Sequence, residues 1–193
     1  MVPKRIYSFF DDFVFKLTFG SEGNESLLMR LLDALLHLEG PRRIHSLQLL
    51  NPFNLKEVAD AKFTVVDVKA VDGLGQRFTI EVQARDKMAF IPRLAYYLAH
   101  LYAGQLKEGE GFEKLCQCYA IAILNYRQFP EHEQLQSVFR FQEATSGLVL
   151  SEPLMEMNFV ELPKYRALRE RHLQSRLDKV VECSWVRRTI CGR

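Results

Sequence analysis

No apolar run in this 193-residue chain comes near the ~20 residues that a membrane-crossing helix requires, and the longest candidate, "YAIAIL" at 119–124, is far too short. Nor does a signal-peptide core follow the early positive charge of "MVPKRIYSFFDDFVFK", because Asp11 and Asp12 interrupt it. These two absences set the expectation of a cytoplasmic protein with no membrane partner. Cysteine is sparse: residues 116, 118, 183 and 191 form no C-x-x-C pair, and a tetrahedral zinc site wants wider spacing than Cys116 and Cys118 offer. Free thiols in a reducing compartment are expected instead. The histidines at 37, 45, 100, 132 and 172 show neither H-x-H nor H-E-x-x-H, so each reads as an ordinary surface or core residue. There is no internal repeat, no low-complexity tract and no clear linker.

What is present suits one globular domain. A 48% hydrophobic and 26% charged composition is that of a folded chain, and the length supports one real core rather than two. The net charge of +2 conceals an uneven distribution. Residues 163–193 hold nine Lys/Arg against three acids, a net +6, which leaves 17 basic and 21 acidic residues, a net −4, on the rest. A basic terminal segment suits phosphate contacts, and a solvated helix face explains it equally well.

Leucines at 27, 28, 31, 32, 35 and 36 form a wide apolar helix face over 24–38, with Asn24 as the expected N-cap and Gly40-Pro41 as the stop. Residues 62–71 and 76–84 read as strands joined by the turn "DGLG". Pro92 suits the first turn of a helix that starts near 90 and runs toward 108. The nearly continuous apolar run 116–126 predicts a strand covered on both faces. Segments 138–143 and 154–162 predict half-buried strands, and the chain from Pro163 onward predicts helix. The sum is α/β, a mixed β-sheet flanked by helices.

The hairpin draws attention to "FTIEVQ", 78–83. With the turn centred near Leu74, opposed residues have numbers summing to about 148. Asp67 then faces Glu81, Lys69 faces Thr79 and Val65 faces Gln83, while Val66, Val68 and Ala70 share the other face with Phe78, Ile80 and Val82. Two carboxylates with Cβ atoms ~5 Å apart repel each other. Lys69 is one available counter-charge, giving a simple surface cluster. A divalent ion is the other, because hard carboxylate oxygens are what Mg²⁺ prefers.

Asp67 on one strand and Glu81-x-Gln83 on the next resembles the active-site hairpin of the PD-(D/E)XK (restriction-endonuclease-like) nuclease superfamily. In particular it is similar to the recombination-promoting nuclease and transposase branch, which carries Gln where the superfamily pattern has Lys. "DDFVFKLTFG" (11–20) resembles the branch's opening D-x-x-F-K-x-x-F-G motif, and "LLMRLLDALL" the leucine-rich helix that follows. "RLAYYLAHLYAGQLKEGEGFEKL" (93–115) is similar to the helix after the active site, and "LMEMNFVELPKY" (154–165) to the late strand ending in E-L-x-K-aromatic. The likeness covers roughly residues 11–165.

The resemblance implies a metal-dependent DNA endonuclease that hydrolyses phosphodiester bonds and is linked to recombination or mobile elements. Asp67 and Glu81 would hold Mg²⁺ or Mn²⁺, with the backbone carbonyl of Val82 as a third ligand. Gln83 would orient the attacking water, since an amide hydrogen-bonds but cannot act as a cationic base. Asp12 would complete the metal shell or orient a ligand, with helix capping or a salt bridge to Lys16 as the alternative. Arg93 would hold a phosphate and Tyr97 support the site, against a structural Arg packed on Tyr96. Gln105 would join the substrate contacts. A nuclease-like domain over 1–165 and a basic helical tail over 166–193 follow, with a homodimer left open. Family members generally continue well beyond E-L-x-K, whereas this chain ends on "VECSWVRRTICGR", which a truncated or a frameshifted copy would explain. The alternative function is a catalytically weak remnant that binds DNA or protein. A purely structural interaction domain leaves the paired carboxylates unexplained.

Overall fold

The computed structural model describes residues 12–51, 68–150 and 154–169. Among these, the helices are α1 (Asp12–Phe19), α2 (Glu25–Leu35), α3 (Phe90–Ala103) and α4 (Leu162–Arg169). The strands are β1 (Leu47–Leu49), β2 (Val68–Asp72), β3 (Arg77–Gln83), β4 (Cys118–Leu124), β5 (Gln136–Phe139) and β6 (Met155–Glu161). They form one mixed sheet in the order β1-β2-β3-β4-β6-β5. β3, β4 and β6 are parallel, and antiparallel pairs extend the sheet on both sides. Parallel neighbours need a crossover, which α3 supplies between β3 and β4. This is the expected α/β architecture, a mixed sheet flanked by helices.

Turn chemistry sets the register of the β2–β3 hairpin. Asp72 Oδ1 accepts the N–H groups of Leu74 at 2.9 Å and Gln76 at 2.8 Å, an Asx-type turn. Gly75 follows at φ +82°, and a Cβ there would meet Cys116 Sγ at 2.8 Å, so both conformation and space demand glycine. The pairs Val68↔Ile80, Lys69↔Thr79 and Ala70↔Phe78 each sum to 148, the register expected from the turn. Residues 62–67 of the expected strand, Asp67 included, lie outside the described residues.

A helical layer covers each face. On one side Phe15 and Phe19 of α1 and Leu28, Leu32 and Leu35 of α2 pack on Val68, Ile80, Val82, Ile121 and Ile123. On the other, Phe90, Leu94, Leu98 and Leu101 of α3 pack on Ala120, Ala122, Leu124 and Phe159. β4 therefore sends isoleucines one way and mainly alanines the other, as its uninterrupted apolar run implies. Each fully buried large side chain contributes about 1.5–3 kcal/mol.

Several local details differ from expectation. α2 stops at Leu35, well before Gly40-Pro41, because His37 turns left-handed at φ +52° and Leu38 N–H donates to Asp33 O at 2.8 Å. Asn24 makes no side-chain cap; its Nδ2 donates instead to Leu17 O at 3.4 Å. The strand expected over 138–143 is β5, Gln136–Phe139, followed by an isolated bridge between Gln142 and Val149. Glu143 gathers Thr145 N–H at 2.9 Å and the Ser146 hydroxyl at 2.6 Å, which turns the chain there.

Candidate active site

β3 presents two faces of different chemistry, both buried. Phe78, Ile80 and Val82 enter the α1–α2 core. Thr79, Glu81 and Gln83 point the other way and are 1%, 3% and 2% exposed. The polar face is therefore no solvated surface. A carboxylate withdrawn this far from water needs compensating charge and hydrogen bonds. Glu81 Oε1 receives two donors: Gln83 Nε2 at 2.7 Å and Arg93 Nη2 at 2.5 Å. Alternation along β3 puts Glu81 and Gln83 on one side, and the first turn of α3 brings Arg93 over them.

Arg93 is one-third exposed and its Cζ stands 5.4 Å from the Phe90 ring centroid, close enough for a cation–π contact. Its Nε is buried with no hydrogen-bond partner among the described residues. Packing against Tyr96 is not what holds this arginine. Tyr96 is largely exposed and stacks on His100 at 6.3 Å. Tyr97, one turn after Arg93, lies under Lys69 Nζ, 6.0 Å from its ring centroid. Lys69 shares the strand face of Glu81 by parity, so α3 lays Arg93 and Tyr97 along one polar strip of the hairpin.

Val82 points its side chain into the core. The Gln83 carbonyl accepts Asn125 N–H from the β4 side at 2.9 Å, so alternation turns the Val82 carbonyl toward β2. Gln105 is not brought to this cluster. It clips the start of β4 at the opposite end of the parallel strands, with Nε2 donating to Cys116 O at 2.8 Å and Oε1 accepting Cys116 N–H at 2.9 Å. Those bonds satisfy backbone groups just before the strand begins. Asp12 opens α1, which packs on the sheet face opposite Glu81; its side chain, like the whole of Asp67, lies outside the described residues. Cys116 and Cys118 are free thiols, and burial pushes Cys118 up to about 12.

Sequence reasoning missed a second polar group on the same sheet face. Gln83, Leu124 and Glu161 are aligned across β3, β4 and β6. Glu161 Oε1 accepts the N–H groups of Gln128 at 2.6 Å and Phe129 at 3.1 Å. Its Oε2 takes Lys164 Nζ at 2.5 Å, and Lys164 also donates to Phe129 O at 2.9 Å. Tyr126 stands in the same loop; burial foremost, then the nearby Asp86 and Glu81 charges, push its phenol up to about 12. The E-x-x-K spacing carried the signal for the pair, since it sets both side chains on one side of a helix start. Nothing in the sequence flagged Tyr126.

A magnesium-class ion keeps several waters and binds through one or two carboxylates plus substrate phosphates. Glu81 supplies one hard, buried carboxylate, a donor that fits such an ion. Among the described residues no group of three or more His, Cys, Asp and Glu could hold a metal. No helix among them is long and apolar enough to cross a membrane.

Compared with known proteins, residues 9–183 match the family model described as PD-(D/E)XK nuclease family transposase. No curated protein and no solved structure matches the chain.

Proposed function

The chain belongs to the PD-(D/E)XK nuclease family of transposases, and from that premise we propose that it is a metal-dependent DNA endonuclease cutting phosphodiester bonds at the β2–β3 hairpin. One observation carries this reading: Glu81 and Gln83 lie side by side, hydrogen-bonded and buried, on a strand face that a solvated cluster would leave open. Asp67 immediately precedes Val68, and continuing the pairing of Val68 with Ile80 would set it opposite Glu81. Asp67, Glu81 and the Val82 carbonyl would hold Mg²⁺ or Mn²⁺. Bound there, the ion supplies Lewis acidity and a water of lowered pKa.

The chain's own groups do the positioning. Gln83 donates its amide N–H to Glu81, which leaves the amide oxygen as the acceptor that aligns a water for attack. Arg93 offers a planar, always-charged fork suited to a phosphate. Tyr97 carries Lys69 at the flank of the strip, where a DNA backbone would run.

The test is plasmid nicking with and without Mg²⁺ or Mn²⁺, using the wild type, Asp67→Asn and Glu81→Gln. Metal-dependent nicking lost in both variants supports the reading. Nicking unchanged in the double variant would move the chemistry elsewhere, and DNA binding without nicking would leave the weakly active remnant.

A further inference from the structure

We propose that Arg93 is the resident counter-cation of Glu81, and that a divalent ion and Arg93 compete for this carboxylate. The displaced guanidinium then becomes the phosphate clamp. This rests on the metal-dependent reading above and adds to it an order of events: metal entry frees the arginine that receives DNA.

Three observations carry the inference. First, Glu81 Oε1 already accepts from Arg93 Nη2 and Gln83 Nε2. A carboxylate oxygen has two lone pairs, so an ion arriving at Oε1 must evict a donor. An ion arriving at Oε2 instead would share one buried carboxylate with a guanidinium, and two cations so close in a poorly hydrated site repel strongly. Either route makes metal and Arg93 antagonists. Second, the Glu81 side chain is 4% exposed whereas that of Arg93 is 32% exposed. The carboxylate is fixed in the sheet, whereas the arginine side chain reaches the rim and can swing outward. Third, Arg93 uses only half of its side-on fork. Nη2 is engaged, while the neighbouring Nε is buried without a partner among the described residues. A guanidinium bound on one edge by a single oxygen is incompletely satisfied, and two phosphate oxygens would occupy Nε and Nη2 together.

The pair also explains how a hairpin built to gather anionic oxygen stays folded before metal arrives. A buried carboxylate left without a cation is strongly destabilising. Arg93 meets that need with a charge the site can release.

The test is a calorimetric titration of the full chain with MnCl₂ alone, at matched ionic strength and without DNA, on the wild type, Arg93→Met and Arg93→Lys. Removing the competitor should tighten Mn²⁺ binding by tenfold or more in Arg93→Met. It should also lower the metal-free melting temperature and enlarge the upward shift that Mn²⁺ produces. Arg93→Lys keeps the charge but lacks the fork, so it remains folded if the methionine variant does not, and its affinity should fall between the two. Mn²⁺ binding equal to or weaker than wild type in the variants overturns the competition while leaving the metal reading intact. No Mn²⁺ binding by any of the three proteins overturns both.

Discussion

Lys164 Nζ stands 2.5 Å from Glu161 Oε2, and both side chains are almost sealed from water, at 2% and 0% exposure. The pair bridges the end of β6 and the start of α4, and both partners also bind the backbone of 128–129. Both Glu161 oxygens and the Lys164 ammonium have hydrogen-bond partners.

That closure predicts an asymmetric mutational response. Lys164→Met leaves Glu161 charged and buried, and should cost about 3–5 kcal/mol. Combining it with Glu161→Gln removes both charges and should recover part of the loss. Urea unfolding of the single and double variants checks this, and a strictly additive double would contradict the coupling.

Gly75→Ala should destabilise by more than about 1 kcal/mol, because an L side chain is strained at φ +82° and its Cβ meets Cys116 Sγ. For a chain of this size that is a fall in melting temperature of about 2–4 °C per kcal/mol. The same turn sets which residues of β2 face Glu81, so nicking activity should fall along with stability.

The sequence was most legible where local chemistry fixes geometry. The Asp72–Gly75 turn determined the register, and register with alternation put Glu81 and Gln83 on one face. The apolar run of β4 announced a strand covered on both sides. What was not legible depended on tertiary approach. Only the docking of α3 shows that this polar face is buried and that Arg93 reaches Glu81. Gln105 reads in sequence as a further substrate contact, yet three helical turns carry it to the other end of the strands from Arg93. The path of the chain after α2 depended on Asp33, whose carboxylate holds Arg43 Nε at 2.9 Å and Ile44 N–H at 3.0 Å, partners no helix pattern reveals.

An alkaline titration should find Tyr119 and Tyr126 ionising late. Burial pushes Tyr119 and Tyr126 up to about 12 from an ordinary value near 10. A raised folded-state pKa means the native protein holds these protons more tightly than the unfolded chain. Their contribution to stability is therefore complete below about pH 10 and lost as pH rises through about 12. Phenolate absorbance should show Tyr119 and Tyr126 titrating late, with both released once unfolding begins. Tyr126→Phe should remove one late group and part of the alkaline instability.

The basic segment 163–193 gives a prediction about DNA rather than stability. If it meets phosphates, deleting 170–193 should weaken binding and flatten its dependence on salt. The log–log slope should fall by about 0.9 for each phosphate that the shortened chain leaves unneutralised. An unchanged slope would make the segment a solvated surface.

The hairpin carboxylates predict how stability responds to metal. An ion that binds only the folded chain adds RT ln(1 + [L]/Kd), roughly 2.7 kcal/mol at a hundredfold excess over Kd. Melting temperature should therefore climb with Mn²⁺ in the wild type and stay flat in Glu81→Gln and Asp67→Asn, at matched ionic strength and chloride. The metal-free baseline of Glu81→Gln adds a second, independent reading. Neutralising Glu81 keeps the amide contact with Gln83 but removes the counter-charge of Arg93. Because the Arg93 side chain is one-third exposed, water can reach it, so the loss should stay nearer about 1 than about 5 kcal/mol. A Glu81→Gln protein that melts well below this, yet still gains stability from Mn²⁺, would mean that Glu81 serves the fold alone and that the ion binds elsewhere.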